Sequence, residues 1–481
     1  MKKESRNLLF LFLFAFVIRL VFLFLVQVRY WDEAVYLSLA KDLAHNFFNY
    51  SLNGAFWSDF IPFGTFPYSW PNIGFRAPLL PVMLSFFYRF NLDFLIKFFT
   101  PFIGAASSVV VYFLGKKIFN SKVGLYSALA FSLIPIHILW SFRISTGIYG
   151  IFFLLLSVLF FWKGFEEGDN SSKILFGVFL ALSLLIRYTM MWIIPIFLFY
   201  FLFRDKNLKF LKDKYLWCSI LAFFIVLVPW FIYAHTFYDN LLGPFIHGTI
   251  GSGFWGGVQS SLFYFGKFLN MFSIFGIIFV ISILLIFKKK WYKDKRIFFF
   301  LSWFIFFFFV ASLVPHKEER FLLPLVPAVA ILSGFFLERF EREFSLLKLN
   351  AKKIFVFLFI FLVCFVPIVF VISSQEITGT QICLKEGLDY ISSLESNSLI
   401  YSDASPIVYA YTDMKTRYYP SPWNNKSLER GEENYILYTD YDKPLYVEEN
   451  VLFREDLKDN FELVFSCDKD WGITEVYRIG N

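Results

Sequence analysis

The chain has 481 residues, 58% of them hydrophobic, 23% aromatic and only 17% charged. That balance excludes an ordinary soluble globular protein and points to a chain that crosses a membrane many times. Four cysteines (Cys218, Cys364, Cys383, Cys467) show neither CxxC nor His-paired spacing, which argues against a zinc site or a redox motif. The net charge of +7 could suit an acidic partner, but where the basic residues fall matters more than their sum, and no nucleic-acid partner is expected. The 71 Phe read as apolar membrane filler rather than as an aromatic binding site.

In chain order, the basic start MKKESRN precedes LLFLFLFAFVIRLVFLFLVQV. About 20 apolar residues suffice to span a bilayer, and no small-residue cleavage site follows, so an uncleaved first helix is expected near 8–28. Further apolar runs lie near 94–114, 123–142, 146–162, 173–187, 188–203, 215–234, 262–287, 297–315, 320–337 and 353–373, about eleven spans in all. With the N-terminus in the cytoplasm, the segments MKKESR, GKKIFNSK, WKGFEEGDNSSK, RDKNLKFLKDK, FKKKWYKDKR and ERFEREFSLLKLNAKK all fall inside and together hold 24 Lys and Arg. That bias sets orientation. An odd number of spans then sends residues 374–481 outside.

FRAPLLPVMLSFFYRFN (75–91) is apolar over only about 13 residues, too short to span, and is expected to lie along the outer face. In the last stretch, SLIYSDASPIVYAYTD, NYILYTDYD, ELVFSCDKD and TEVYRIG are β-type runs, and QICLKEGLDYISSL reads as a helix. The expected architecture is mainly α: a polytopic helical bundle over 1–373, with a first outer loop at 29–93, and a small extracytoplasmic α/β domain over 374–481. Cys383 and Cys467 both fall in that domain, on the side where disulfides persist, and a bond between them is left open.

Charge then gathers on the outer face. Asp32 and Glu33 open the first outer loop in RYWDEAVYLSLAKDLAHN, and Arg76 closes it. Arg143 ends the third span, Arg187 and Tyr188 lie between the fifth and sixth, His235 and His247 bracket a loop, and His316, Lys317, Glu318, Glu319 and Arg320 join spans nine and ten. A single cation at a helix end is ordinarily a snorkelling anchor, the reading given to Arg143, Lys41 and Arg89. Acidic side chains are short and snorkel poorly, so Asp32 and Glu33 are read as functional. The HKEER cluster is either a helix-capping ion-pair knot or part of a site, and the second reading is preferred. A carboxylate there could take a proton from a hydroxyl. Cations there could hold a phosphate, each contributing on the order of 4 kcal/mol at about 4 Å before desolvation.

At these residues the chain resembles the GT-C superfamily of membrane glycosyltransferases. YWDEAVYLSLAKDL, FRAPLLPVMLSFFYRF and LLIRYTMMWIIPIFLFYFLFR look like the protein O-mannosyltransferases and aminoarabinose–lipid A transferases. HKEERFLLPLVP is similar to the luminal motif of the mannosyltransferases that build GPI anchors and lipid-linked oligosaccharides. The resemblance covers residues 1–340. It implies a GT-C bundle that moves a hexose, mannose favoured, from a polyprenyl- or dolichyl-phosphate donor to a hydroxyl of a glycan, lipid or protein acceptor, with inversion, in a prokaryotic plasma membrane. By the same resemblance Asp32 would be the general base with Glu33 as its catalytic neighbour, and helices over 34–45 and 77–90 would shape the acceptor groove. Arg76, Arg187, His316, Lys317 and Arg320 would hold the donor phosphate, with Tyr188, Glu318 and Glu319 supporting. The chain has no WWDYG-type motif, which counts against transfer to Asn, and its loop at 235–261 lacks the large inserted domain of eukaryotic protein O-mannosyltransferases. A divalent metal, Mg or Mn, on Asp32 and Glu33 stays open, with no cofactor firmly required. The competing reading is a transporter or flippase, which would place charges at the midplane and show inverted repeats.

Overall fold

A computed structural model of the chain describes residues 3–25, 31–48, 50, 76–238, 240–243, 259–344, 365, 369, 371, 379–395, 397–402, 404–412, 414–417, 433–440, 447–469 and 472–480. Two compact units emerge. One comprises Met1–Leu25, Phe75–Leu80 and Leu95–Gln375, the other Val26–Gly74, Pro81–Phe94 and Glu376–Asn481. The apolar run at 353–373, save three positions, and His247 lie outside the described residues.

In the first unit, contacts between helix ends show how the segments alternate. Helix α1 (Lys3–Leu25) begins where α4 (Ile96–Ile118) ends, because Glu4 pairs with Lys116. Helix α7 (Thr146–Glu167) returns to that end, where Glu167 meets Lys117 at 2.6 Å. Helices α8 (Asn170–Ile186) and α9 (Ile194–Asp205) are separate segments, as the charge at Arg187 predicts, and Arg204 comes back to Glu166 at 3.1 Å. Helices α10 (Lys214–Tyr238), α11 (Phe263–Lys288), α12 (Lys295–Leu313) and α13 (Val326–Phe344) follow, the last entered through a 3-10 segment, Glu319–Leu325. Among the described residues, eight helical segments are each long and apolar enough to cross a membrane.

One further apolar stretch is broken. The run at 123–142 is expected to be one helix, but it forms α5 (Ser121–Leu133) and α6 (Pro135–Ser141), bent by 62°. Pro135 has no N–H to continue the ladder, and it pushes Ile134 to an extended φ of −61° and ψ of 122°. The short helix α3 (Leu79–Arg89) has eleven residues, about 16 Å, and does not span.

Much of the phenylalanine is interior rather than filler. Phe161 is fully buried, its ring centre 4.5 Å from Phe197, 5.3 Å from Phe176 and 6.1 Å from Phe299, so it joins α7, α8, α9 and α12. Such pairs add about 0.5–1.5 kcal/mol each beyond area burial. Arg19, in the first helix, is also fully buried. Its Nη1 donates to the Ala15 carbonyl at 2.6 Å and its Nη2 to His137 Nδ1 at 2.8 Å. A guanidinium has no acceptor, so His137 is held with its proton on Nε2. Gly104 of α4 makes room: a Cβ there would lie 2.7 Å from Arg19 Nε.

The second unit joins α2 (Trp31–His45) to the C-terminal sheet. Strands β1 (Leu399–Ser402), β2 (Lys415–Arg417), β3 (Asn434–Thr439), β4 (Glu462–Lys469) and β5 (Gly472–Ile479) are ordered β2-β1-β3-β5-β4. The first three are mutually parallel, and β5 is antiparallel to both neighbours. Helix α14 (Gly379–Ser392) covers the sheet, and Cys383 on it is bonded to Cys467 on β4. Closing a loop across 84 positions contributes about 4.5 kcal/mol by chain entropy. PIVYAYT, expected as β-type, is instead helix α15 (Ser405–Thr412). Parallel β1 and β2 need a crossover, Pro406 suits a helix start, and Ser402 Oγ accepts from the Ala404 N–H at 3.0 Å, so topology overrides the β-branched bias.

Candidate active site

Three chain reversals of the first unit converge at the end opposite the α1 start. Arg187 caps α8 in extended conformation, and Gly150 on α7 lets the following turn close in: a Cβ there would lie 2.9 Å from Met190 Cε. The Arg187 Nε donates to Thr189 Oγ1 at 3.0 Å and Nη1 to Thr146 Oγ1 at 3.4 Å, while the guanidinium lies 5.7 Å from the Phe321 ring centre. The bent α6 brings in Trp140. Two arginines share that indole, Arg143 at 5.2 Å and Arg320 at 5.7 Å.

Glu318 orders the third reversal. Its Oε1 accepts from Arg320 Nη2 at 2.7 Å, its Oε2 lies 2.5 Å from Arg320 Nε, and Oε1 also bonds His316 Nε2 at 2.9 Å. Its backbone carbonyl accepts from the Tyr264 hydroxyl at 3.0 Å. Stacking on aromatic rings takes up the face of a guanidinium, and the in-plane N–H fork is the part that recognises phosphate. Three arginines (Arg143, Arg187, Arg320) stand here with the Glu318 carboxylate.

The other predicted residues take distinct places. Lys317 is buried, and its ammonium donates to the carbonyls of Val314 at 2.6 Å and Gln259 at 3.2 Å, closing the C-terminal end of α12. Glu319 pairs with Lys267 at 3.5 Å on the surface. Tyr188 Oη accepts from Trp230 Nε1 at 2.9 Å, and half-buried Arg76 precedes α3. Sequence reasoning read Arg143 as an anchor and passed over Trp140 and Thr146. The signal for Arg143 and Trp140 was their i, i+3 spacing, which can bring an indole and a guanidinium together at a helix end.

Asp32 and Glu33 belong to the second unit and lie in the first turn of α2, where the helix dipole favours negative charge. Glu33 Oε1 accepts from the Tyr411 hydroxyl at 3.2 Å. Among the described residues no three acidic, histidine or cysteine side chains converge.

Comparison with known proteins agrees with this architecture. Residues 76–233 match the family of dolichyl-phosphate-mannose-protein mannosyltransferases. No curated protein matches the sequence. ArnT from Cupriavidus metallidurans, bound to undecaprenyl phosphate, is similar with a TM-score of 0.71 at 12% identity over 98% of both chains. The archaeal oligosaccharyltransferase AglB from Archaeoglobus fulgidus, in complex with an inhibitory peptide and a dolichol-phosphate, has a TM-score of 0.59 at 13% identity over 100% of this chain and 75% of its own. The chain thus shares its fold with these two membrane proteins, and the part of it over residues 76–233 resembles the mannosyltransferase family.

Proposed function

We propose that the protein transfers a hexose from a polyprenyl-phosphate carrier to an acceptor hydroxyl at the outer face of the membrane, with the N-terminus cytoplasmic and the C-terminal domain outside. The observation that carries this reading is the set of three arginines ordered around Trp140, Phe321 and Glu318. Such a set suits a lipid-borne phosphate, because its donors are fixed before the ligand arrives. ArnT with undecaprenyl phosphate and AglB with a dolichol-phosphate support a carrier of that chemistry. The HKEERF run and the mannosyltransferase family match favour mannose.

In this mechanism Asp32 accepts the proton of the acceptor hydroxyl as its oxygen attacks the anomeric carbon. The bond from that carbon to the phosphate oxygen breaks, and the carrier phosphate leaves with the electron pair. Arg187, Arg320 and Arg143 stabilise the growing negative charge, with Arg76, His316 and Lys317 contributing to the positive field. Glu318 holds Arg320 and His316 in place. Attack opposite the leaving group inverts the anomeric centre. The test is transfer from polyprenyl-phosphate mannose by the purified protein in lipid nanodiscs. Transfer by wild type and its loss in Asp32→Asn is expected. Transfer undiminished in that variant would remove Asp32 as the base, and failure of wild type to bind undecaprenyl phosphate would reject the carrier.

A further inference from the structure

The pair Asp32–Glu33 is treated as one acidic feature in the sequence, but the second unit gives its two members different surroundings. Helix α2 is buried along most of its length, from Ala34 to Leu43, which is unusual for a helix carrying Lys41 and Asp42. Helix α15 covers one face of it. Ser38 Oγ donates to the Pro406 carbonyl at 3.2 Å. Lys41 Nζ donates to the Tyr409 carbonyl at 3.0 Å, one of the last-turn carbonyls of α15 that lack an intrahelical partner. The Tyr409 hydroxyl donates back to Asp42 Oδ1 at 2.8 Å, and the Lys41 ammonium lies 5.5 Å from the Tyr409 ring and 5.7 Å from the Tyr88 ring. The last contact on this line is the Tyr411 hydroxyl on Glu33. Ser38, Lys41 and Asp42 fall within about 100° of one another around α2, and Glu33, about 80° from Lys41, lies at the edge of that face.

Helix α15 is itself rigidly held. It is the crossover between β1 and β2, with Ser405 Oγ bonded to Thr416 Oγ1 at 2.7 Å, in a domain closed by the Cys383–Cys467 disulfide. Successive side chains on a helix point about 100° apart, so fixing Glu33 fixes the rotation of α2 and with it the direction of its neighbour.

The geometry points to a division of labour: Tyr411 is a positioning residue that pegs Glu33, Glu33 is a rotational stop and not a second base, and the C-terminal domain acts through α15 to aim Asp32. This rests on the reading of Asp32 as the general base. It assigns the C-terminal domain a part in transfer that requires no contact with the acceptor.

The experiment is a double-mutant cycle on the full-length protein in nanodiscs, with polyprenyl-phosphate mannose as donor. Tyr411→Phe removes one hydroxyl and is expected to lower kcat about tenfold with KM for the donor unchanged, as a misaimed base does. Glu33→Ala should give the same loss. The double variant should be no worse than either alone, because one interaction is removed. Glu33→Gln, whose amide oxygen still accepts from the hydroxyl, should recover most of the loss. If Glu33→Gln is as dead as Asp32→Asn, Glu33 takes part in the chemistry and the inference is overturned. It is equally overturned if the two losses multiply, or if Tyr411→Phe leaves kcat unchanged. Should Tyr411→Phe fold poorly, the contrast between Glu33→Ala and Glu33→Gln decides from the α2 side. Full activity in Asp32→Asn defeats the reading of Asp32 alone, and the cycle between residues 33 and 411 still reports whether they act as one.

Discussion

At the end of the helical unit where α1 begins, charges stand in close opposite-sign pairs. Glu166 takes both Arg204 and Lys295, Lys173 meets Asp213 at 2.6 Å, and Lys122 meets Glu341 at 3.0 Å. At the other end Arg143, Arg187 and Arg320 lie over the rings of Trp140 and Phe321, and one carboxylate, Glu318, clamps Arg320. The first arrangement neutralises charge where helices are stapled together. The second stacks guanidiniums on aromatic rings, which fixes the directions of their in-plane N–H groups. The same residue types thus serve stability at one end and, in the function proposed above, recognition at the other.

The sharpest way to break this comparison is to remove a ringed arginine. Arg320→Gln should lower transfer by about 10²–10³ and weaken undecaprenyl phosphate binding, read by titration of the purified protein. A smaller effect is expected from Trp140→Ala, which removes the surface shared by two guanidiniums. About tenfold weaker carrier binding corresponds to two cation–π contacts of roughly 0.5–1 kcal/mol each. At the stapled end, Glu166→Gln should do the reverse. It leaves two cations partly uncompensated, so the melting temperature falls, by the equivalent of about 2–3 kcal/mol, while carrier affinity stays as in wild type. Loss of affinity in that variant would erase the distinction between the ends.

The smallest effect lies in the C-terminal sheet. Burial pushes the Glu475 carboxyl up, but hydrogen bonds from Arg454 and Tyr477 outweigh it and hold the group below its ordinary value of 4.5. A depressed carboxyl contributes stability above its unfolded pKa and loses it as pH falls through the folded value. Melting followed from neutral to acid pH should therefore show an acid limb that flattens in Glu475→Gln.

The sequence made the helical bundle legible because apolar length and basic bias are local quantities. The reversal at Arg187 could be read because one charge interrupts two apolar runs. The break at Pro135 could not, since Pro101 and Pro229 sit inside continuous helices and a proline alone does not say which outcome neighbours permit. The site was half legible. The HKEER run supplied Arg320 and Glu318, but Lys317 is spent largely on helix-end carbonyls, and Arg143 gained its meaning only through Trp140. Contacts of that kind are set by tertiary packing. The link from Tyr411 to Glu33, across 378 positions, was beyond any local pattern.

The most direct measurement compares Asp32→Asn with Arg320→Gln for two readouts, undecaprenyl phosphate binding and hexose transfer. The account predicts that Asp32→Asn binds the carrier as wild type does yet transfers nothing, whereas Arg320→Gln loses both. Carrier binding lost in Asp32→Asn, or retained in full in Arg320→Gln, would contradict it.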